Sequence, residues 1–199
     1  KIALLADIHA NLEALQAVAE DVDRWQPDQV AVLGDVINRG PRPRECLDYI
    51  LQRQRADGWL ITIGNHEEYV IRQFRQPDQT EQMRDLFLPS RWTGKRIGEA
   101  GISAVEHWPF SLTTHGPTGA DVRVTHASML HTRDGVFPET SDAELRAKIG
   151  SPLPTVFGVG HTHVPLLRRL DAVLVINAGA VGMPFDGDAR ASYARLEWR

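Results

Sequence analysis

The feature that most constrains this 199-residue chain is a series of short, mostly apolar segments, each followed within two residues by histidine, aspartate or asparagine. The segments are residues 2–6, 30–33, 59–63, 122–124 and 155–159. Short runs of this kind are typical of buried strands. We therefore expect an α/β protein in which polar side chains gather where strands end.

Helix-like segments separate the first three of these strands. Asn11 is a predicted N-cap, and apolar residues follow it at helical spacing as far as Trp25. Pro43 opens a second helix, in which Cys46 is predicted to be buried. The order strand-helix-strand-helix-strand is typical of a parallel, right-handed α/β sheet. The middle of the chain, residues 67–104, is polar and helical in character, and we expect Trp92 and Ile97 to point inward.

The C-terminal part has a different pattern. Residues 122–124, 155–159, 166–170 and 173–176 are predicted strands, and residues 171–172 fit a two-residue hairpin turn. Residues 193–198 alternate like a final strand. This pattern predicts an antiparallel or mixed second sheet. Because no repeat, low-complexity tract or linker is found, residues 1–199 are predicted to form a single domain with two packed sheets.

Composition excludes some classes of function. The formal net charge of -4 and the pI of about 6.1 argue against a nucleic-acid-binding module. No run of about twenty apolar residues predicts a membrane span, and no leader-like segment precedes the first strand. A single cysteine permits no internal disulfide and suits a reducing compartment, so we expect a cytoplasmic protein. The oligomeric state is left open.

The polar residues behind the strands are of the types that bind divalent metals. Imidazole suits Zn, Mn and Fe, and carboxylate or amide oxygens suit harder ions. Side chains two residues apart in an extended segment point the same way, which we expect for Asp7 with His9 and for His161 with His163. Each motif alone also fits a turn or a cap. Together, at the carboxyl ends of strands, they predict one metal site, with Asp35 as the carboxylate that bridges two ions.

Charge favours an anionic substrate. Two divalent ions with only Asp7 and Asp35 as charged ligands leave a net positive site. A hydroxide and a phosphate ester fit this excess better than a neutral amide does.

The ordered motif set resembles the signature of the calcineurin-like metallophosphoesterases, over nearly the whole chain. Segments 7–15 and 177–184 are similar to the small bacterial and archaeal branch of that family. The resemblance implies a double β-sheet sandwich flanked by helices, in four αββα layers. The motifs that carry it are Asp7-x-His9, Gly34-Asp35, Gly64-Asn65-His66-Glu67, His126 and Gly160-His161-x-His163.

The resemblance also implies roles for single residues. Asp35 would bridge two divalent ions, Mn foremost, with Fe, Zn, Ni or Co as alternatives. His66 would protonate the leaving oxygen or stabilise the phosphoryl charge. The first ion would be held by Asp7, His9 and His163, and the second by Asn65, His126 and His161.

Segment 34–41 is similar to a segment of the phosphoprotein phosphatases. Arg39 matches the phosphate-binding arginine of those enzymes, and Asn38 stands where they have the aspartate that supports the catalytic histidine. What orients His66 therefore stays open, with Glu67, Glu68 or a backbone carbonyl as alternatives. Arg39, Asn38 and His131 are predicted to contact substrate.

The predicted activity is hydrolysis of a phosphate ester by in-line attack of a hydroxide that bridges the two metal ions. Monoesters are favoured, because Arg39 adds a positive charge that suits a dianion. A phosphodiesterase, including one for cyclic nucleotides, is the alternative. A non-catalytic metal-binding scaffold of the same fold ranks lower, since the chain carries all the ligands and His66.

Overall fold

The computed structural model describes residues 1–77 and 80–198. It is a mixed α/β structure of two sheets flanked by helices. The strands are β1 (Ile2–Leu5), β2 (Gln29–Val32), β3 (Leu60–Ile61), β4 (Ser111–His115), β5 (Asp121–Thr125), β6 (Val156–Val159), β7 (Leu166–Leu170), β8 (Val173–Asn177) and β9 (Ala194–Leu196). The helices are α1 (Leu12–Trp25), α2 (Pro43–Asp57), α3 (Asn65–Arg75), α4 (Glu81–Leu86), α5 (Leu88–Glu106) and α6 (Asp142–Ile149).

The first sheet has the order β3-β2-β1-β9, and the second has the order β4-β5-β6-β8-β7. The strands β1, β2 and β3 are parallel, as predicted, and β9 pairs antiparallel to β1. In the second sheet, β5, β6 and β8 are parallel, while the edge strands β4 and β7 are antiparallel to their neighbours. The prediction of a mixed second sheet is therefore confirmed.

Alternating side chains of β1 define the four layers. Ala3 and Leu5 face α1 and α2, whereas Ile2 and Leu4 face the second sheet. The far side of the second sheet packs on α6 through a further apolar cluster that includes Phe157. The predicted αββα order follows from these three apolar interfaces, because each sheet must bury both of its faces.

Several predicted elements have different limits in the structure. The third strand is only Leu60–Ile61, and the final strand is Ala194–Leu196, which joins the first sheet rather than the second. The strand at 111–115 and helix α6 were not predicted. The strand at 111–115 is an edge strand with one apolar residue, so it lacks an apolar pattern. The start of α6 does have a sequence signal, because Ser141 and Glu144 form a capping box.

Local predictions were mostly correct. The side chain of Asn11 accepts a hydrogen bond from the amide of Ala14, as an N-cap does, and Cys46 and Ile97 are buried. The inward prediction for Trp92 is wrong, because this side chain is 43% exposed and contacts the guanidinium of Arg96. Among the described residues, no helix has the length and apolar character needed to cross a membrane.

Candidate metal centre

The loops that follow five strands meet at one point between the ends of the two sheets. The loops after β1, β2 and β3 come from the first sheet, and those after β5 and β6 come from the second. Two groups of potential ligand atoms result, and they share Asp35. The structure thus brings all seven predicted metal ligands together: Asp7, His9, Asp35, Asn65, His126, His161 and His163.

The first group joins both sheets through its histidines. The Nε2 atoms of His9 and His163 lie 3.1 Å apart. Oδ1 of Asp7 lies 3.3 Å from Nε2 of His163, and Oδ2 of Asp35 lies 3.6 Å from Nε2 of His9. Two ligands of one ion are separated by about 3.0–3.5 Å when each metal–ligand distance is about 2.1 Å. The spacing therefore suits a divalent metal ion.

The second group contains the asparagine. Oδ1 of Asn65 lies 2.9 Å from Nε2 of His126 and 2.9 Å from Nδ1 of His161. These two ring nitrogens are 3.3 Å apart, and Oδ2 of Asp35 is 3.3 Å from Nε2 of His126. Asp35 is the one carboxylate that reaches both groups among the described residues, as a bridging ligand must.

Each carboxylate has one oxygen held by the backbone and one left unpaired. Oδ2 of Asp7 accepts a hydrogen bond from the amide of His161, and Oδ1 of Asp35 accepts one from the amide of His66. Oδ1 of Asp7 and Oδ2 of Asp35 are buried without a hydrogen-bond partner. A buried unpaired carboxylate oxygen is costly, and a bound cation removes that cost. The donor set therefore fits a metal ion.

Two histidines are oriented by carbonyl groups behind them. Nδ1 of His163 donates to the carbonyl of Met183 at 2.5 Å, and Nδ1 of His126 donates to the carbonyl of Leu33 at 2.7 Å. These contacts direct the Nε2 atoms into the centre, the arrangement that metal-binding histidines usually have.

The protonation states agree with metal binding. Burial lowers the pKa of His9 to about 3 and that of His161 to about 4, so both rings are neutral near pH 7. His126 behaves differently. Burial opposes its charged form, but the neighbouring carboxylate of Asp35 raises the pKa of His126 to about 10. A divalent ion would take over the role of this proton as counter-charge, so metal uptake should release a proton.

Backbone strain is concentrated at the same residues. Left-handed φ angles cost about 1–3 kcal/mol each for residues other than glycine, and they cluster at functional sites. Among the predicted ligands, positive φ angles occur at Asp7 (55°), His9 (47°), Asp35 (54°), His161 (69°) and His163 (59°).

Two glycines make room for the carboxylates. A Cβ atom at Gly64 would lie 2.2 Å from Oδ1 of Asp35, and one at Gly160 would lie 2.7 Å from Oδ2 of Asp7. Both distances are far below van der Waals contact. These positions therefore require glycine because the ligand carboxylates lie against their backbone.

His66 lies at the edge of the centre, and Asn38 orients it. Nδ2 of Asn38 lies 2.9 Å from Nδ1 of His66 and donates to the hydroxyl of Ser90 at 3.0 Å. Its Oδ1 accepts hydrogen bonds from the amide of Arg39 and the hydroxyl of Thr93. Asn38 therefore orients His66, and it does so in place of the three alternatives that the sequence left open.

Glu67 has a different role from the one considered for it. Its buried carboxylate accepts hydrogen bonds from four backbone amides, those of Asp35, Val36, Ile37 and Gly64. Burial, followed by the charge of Asp35, raises the pKa of Glu67 to about 7 against these hydrogen bonds. Glu67 therefore ties the loop that carries Asp35 to the start of α3. The sequence signal for this role was the acidic residue at the end of the motif that also contains His66.

The remaining predicted contacts differ in position. Arg39 is exposed and lines a cavity together with His66 and Asn38. His131 is exposed, its Nδ1 accepts a hydrogen bond from the amide of Arg133, and it belongs to neither ligand group. His107 and His115 are also exposed.

Comparison with known proteins places this centre in a family. Residues 1–199 match the family model of the calcineurin-like phosphoesterase superfamily domain. The uncharacterized protein MJ0912 of Methanocaldococcus jannaschii is 28% identical over 214 residues, which cover 96% of this chain and 80% of that protein. The crystal structure of a metallophosphoesterase from Sphaerobacter thermophilus is similar with a TM-score of 0.75 and 27% identity, covering 100% of this chain and 88% of that chain.

A shorter similarity concerns the symmetrical bis(5'-nucleosyl)-tetraphosphatase of Thioalkalivibrio sulfidiphilus. It is 32% identical over 69 residues, which cover 34% of this chain and 24% of that protein. The family match, in contrast, spans every residue, and it agrees with the order of the motifs and the two-sheet fold. The chain therefore belongs to the calcineurin-like phosphoesterase superfamily and is a metallophosphoesterase, a hydrolase.

Proposed function

We propose that this chain hydrolyses phosphate monoesters at a centre of two divalent metal ions. The observation that carries the proposal is the pair of ligand groups that meet at Asp35, whose Oδ2 atom is buried and unpaired. The first ion would be held by Asp7, His9 and His163, the second by Asn65, His126 and His161, and Asp35 would bridge them. Two such ions, when bound, lower the pKa of water and neutralise phosphoryl oxygens.

The charge of the centre supports an anionic substrate. The carboxylates of Asp7 and Asp35 neutralise only half of the charge that two divalent ions bring, and the other ligands are neutral in their metal-bound form. Arg39 adds a further positive charge at the rim, and it makes no ion pair within the described part of the chain. A monoester dianion matches this excess better than a diester does, and its free oxygens suit the guanidinium group.

His66 is the proposed proton donor to the leaving oxygen. The amide nitrogen of Asn38 faces Nδ1 of His66, so the neutral ring carries its proton on Nε2. Burial lowers the pKa of His66, and Arg39 lowers it further, against the opposing charge of Asp35. The ring is therefore neutral near pH 7, and its Nε2–H hydrogen-bonds to the leaving oxygen as negative charge builds there. Complete transfer of this proton requires the ring first to take up a second proton, because a neutral imidazole does not give up its only N–H proton.

A second candidate is hydrolysis of a diester or a phosphoanhydride. The local similarity to a symmetrical bis(5'-nucleosyl)-tetraphosphatase favours it, because that similarity reaches 32% identity. The same centre serves either bond, and the preference depends on Arg39.

Metal removal and replacement test the proposal. The protein is stripped with a chelator, shown by circular dichroism to be folded, and then supplied with Mn²⁺, Co²⁺, Ni²⁺, Zn²⁺ or Fe²⁺. Activity on an aryl monoester should appear with at least one ion, in step with two bound ions per chain by elemental analysis. The stripped protein without added metal is the control. Absence of hydrolysis of monoester and diester with every ion would rule the proposal out.

A further inference from the structure

A cavity of about 190 Å³ opens beside His66. One part of its wall is apolar, formed by Tyr69, Leu86, Phe87 and Pro89, and the other part is polar, formed by Asn38, Arg39, His66 and Ser90. The wall comes from three places, namely the loop after β2, the first two turns of α3, and the junction of α4 with α5. We call this cavity the leaving-group pocket.

Ring contacts connect the pocket to the metal centre. The ring of His66 lies edge-on to the ring of His9, with centroids 4.8 Å apart, and edge-on to Tyr69 at 5.4 Å. Tyr69 in turn contacts Phe87 at 5.5 Å with the planes tilted by 57°. His66 and Tyr69 are three residues apart on α3 and so share one helix face. An aromatic series therefore runs from a proposed metal ligand into the pocket.

The position of His66 decides which part of a substrate enters the pocket. A proton donor must lie within hydrogen-bond reach of the leaving oxygen. The phosphoryl group would lie at the ions held by the two ligand groups, so the alcohol that leaves would extend past His66. The space next to His66 on the protein surface is the leaving-group pocket.

The lining indicates the chemistry of that alcohol. Apolar side chains at the wall stay partly open to water, and Leu86 is 66% exposed. Apolar groups that line a cavity beside a site are typical of ligand pockets. Among the described residues, Arg39 is the one charged side chain of the wall, and no carboxylate lines it. The pocket therefore suits a planar ring that is neutral or carries negative charge. The positive charge of Arg39 repels a cationic ring.

We propose that the leaving-group pocket selects phosphate esters whose alcohol carries a planar aromatic ring, either an aryl group or a nucleobase. The ring packs against Tyr69 and Phe87, with Leu86 and Pro89 at its edge. Small polar alcohols leave these apolar side chains in water and gain nothing from the pocket. This inference rests on the proposed function, since it assigns the pocket by the role of His66.

The test compares two esters that differ only by the ring. The metal-loaded protein is assayed on 2-phenylethyl phosphate and on ethyl phosphate, whose alcohols leave with similar difficulty. The ratio of kcat/KM should favour the phenyl compound by about 10- to 100-fold, the range expected for burying one aromatic ring. In Phe87→Ala the ratio should fall at least fivefold, because the phenyl compound loses a ring contact that ethyl phosphate does not make.

Two further variants serve as controls, one for loss of the fold and one for effects outside the pocket. Leu86→Ala changes an exposed side chain of the pocket wall, so the fold should survive and the ratio should still fall. Trp92→Ala removes an exposed aromatic side chain on α5 that does not line the pocket, and the ratio should not change. A ratio near one in the wild type, or an unchanged ratio in both Phe87→Ala and Leu86→Ala, would overturn the inference.

A binding measurement separates this inference from the proposed function. The probes are 3-phenylpropylphosphonate and propylphosphonate, which cannot be hydrolysed, and their Kd values are measured by calorimetry. The phenyl compound should bind at least tenfold tighter, and Phe87→Ala should remove most of that difference. Equal Kd values overturn the pocket assignment even if both esters are hydrolysed. Tighter phenyl binding without hydrolysis of either ester supports the pocket and refutes the proposed activity.

Discussion

The metal centre and the leaving-group pocket lie side by side but are built in different ways. The predicted ligands sit on loops between two sheets, are largely buried, and in five of seven cases have strained backbone angles. The pocket wall comes largely from helices on one side of the molecule, and its aromatic residues are partly exposed. The backbone thus fixes the reacting groups, whereas side-chain packing alone shapes the pocket. Changes at the centre should therefore alter metal content and kcat, and changes in the pocket should alter KM.

The largest effect is expected for Asp35→Asn. Loss of the shared carboxylate would leave the two proposed ions without a bridge and with one negative charge fewer, so kcat/KM should fall by on the order of 10⁴-fold or more. Elemental analysis should show metal content falling from two ions toward one or none. Asp7→Asn is the matched control, since it touches one group only and should retain more metal. Two tightly bound ions in Asp35→Asn would contradict the bridging role.

His66→Gln should separate chemistry from metal binding. His66 is not a proposed ligand, so two ions should remain bound while kcat falls by about 10²–10⁴-fold, the usual contribution of a general acid. The loss should be smaller for an ester with an acidic leaving group such as p-nitrophenol, because that oxygen needs less help from a proton. Loss of metal from this variant would place His66 among the ligands instead.

Glu67→Gln tests whether metal binding depends on the hydrogen bonds that Glu67 accepts from the backbone. Four backbone amides donate to this carboxylate, and an amide side chain cannot accept all of them. The free energy of unfolding should fall by about 1–3 kcal/mol, as expected when buried backbone amides lose their acceptor. Metal affinity should fall by about 10–100-fold, as for other residues that support ligands. Glu68→Gln on the same helix serves as control, and an equal loss there would refute the assignment.

The smallest effect is expected for Arg39→Ala, at the boundary of the two regions. KM for an aryl monoester should rise about tenfold, which corresponds to one charge-assisted contact of about 1.4 kcal/mol. KM for a bis-aryl diester should change less than threefold. Arg39→Lys should restore part of the loss, since an ammonium group keeps the charge but not the fork. Equal effects on both substrates would remove the argument for monoesters.

Much of the fold was predictable because its signals are local. The N-cap Asn11, the hairpin turn at 171–172 and the apolar runs of β1, β2 and β6 all depend on neighbours within a few residues. Asp171 has the positive φ of 53° that such a turn needs. The weak edge strand at 111–115 was missed because backbone pairing, rather than its own side chains, stabilises it. Trp92 was misassigned because helical spacing alone does not show which face is buried.

The sequence by itself identified the polar side chains that lie together in the structure, since each follows a strand within a few residues in a recognisable motif. Only the tertiary structure decided how they combine. Asp7 and His163 meet across 156 positions of the chain because the two sheets pack face to face and bring their loops to one end. The contact of Asn38 with His66, the hydrogen bonds of Glu67 and the leaving-group pocket arise in the same way. Long-range contacts depend on packing between layers, which local residue preferences do not encode.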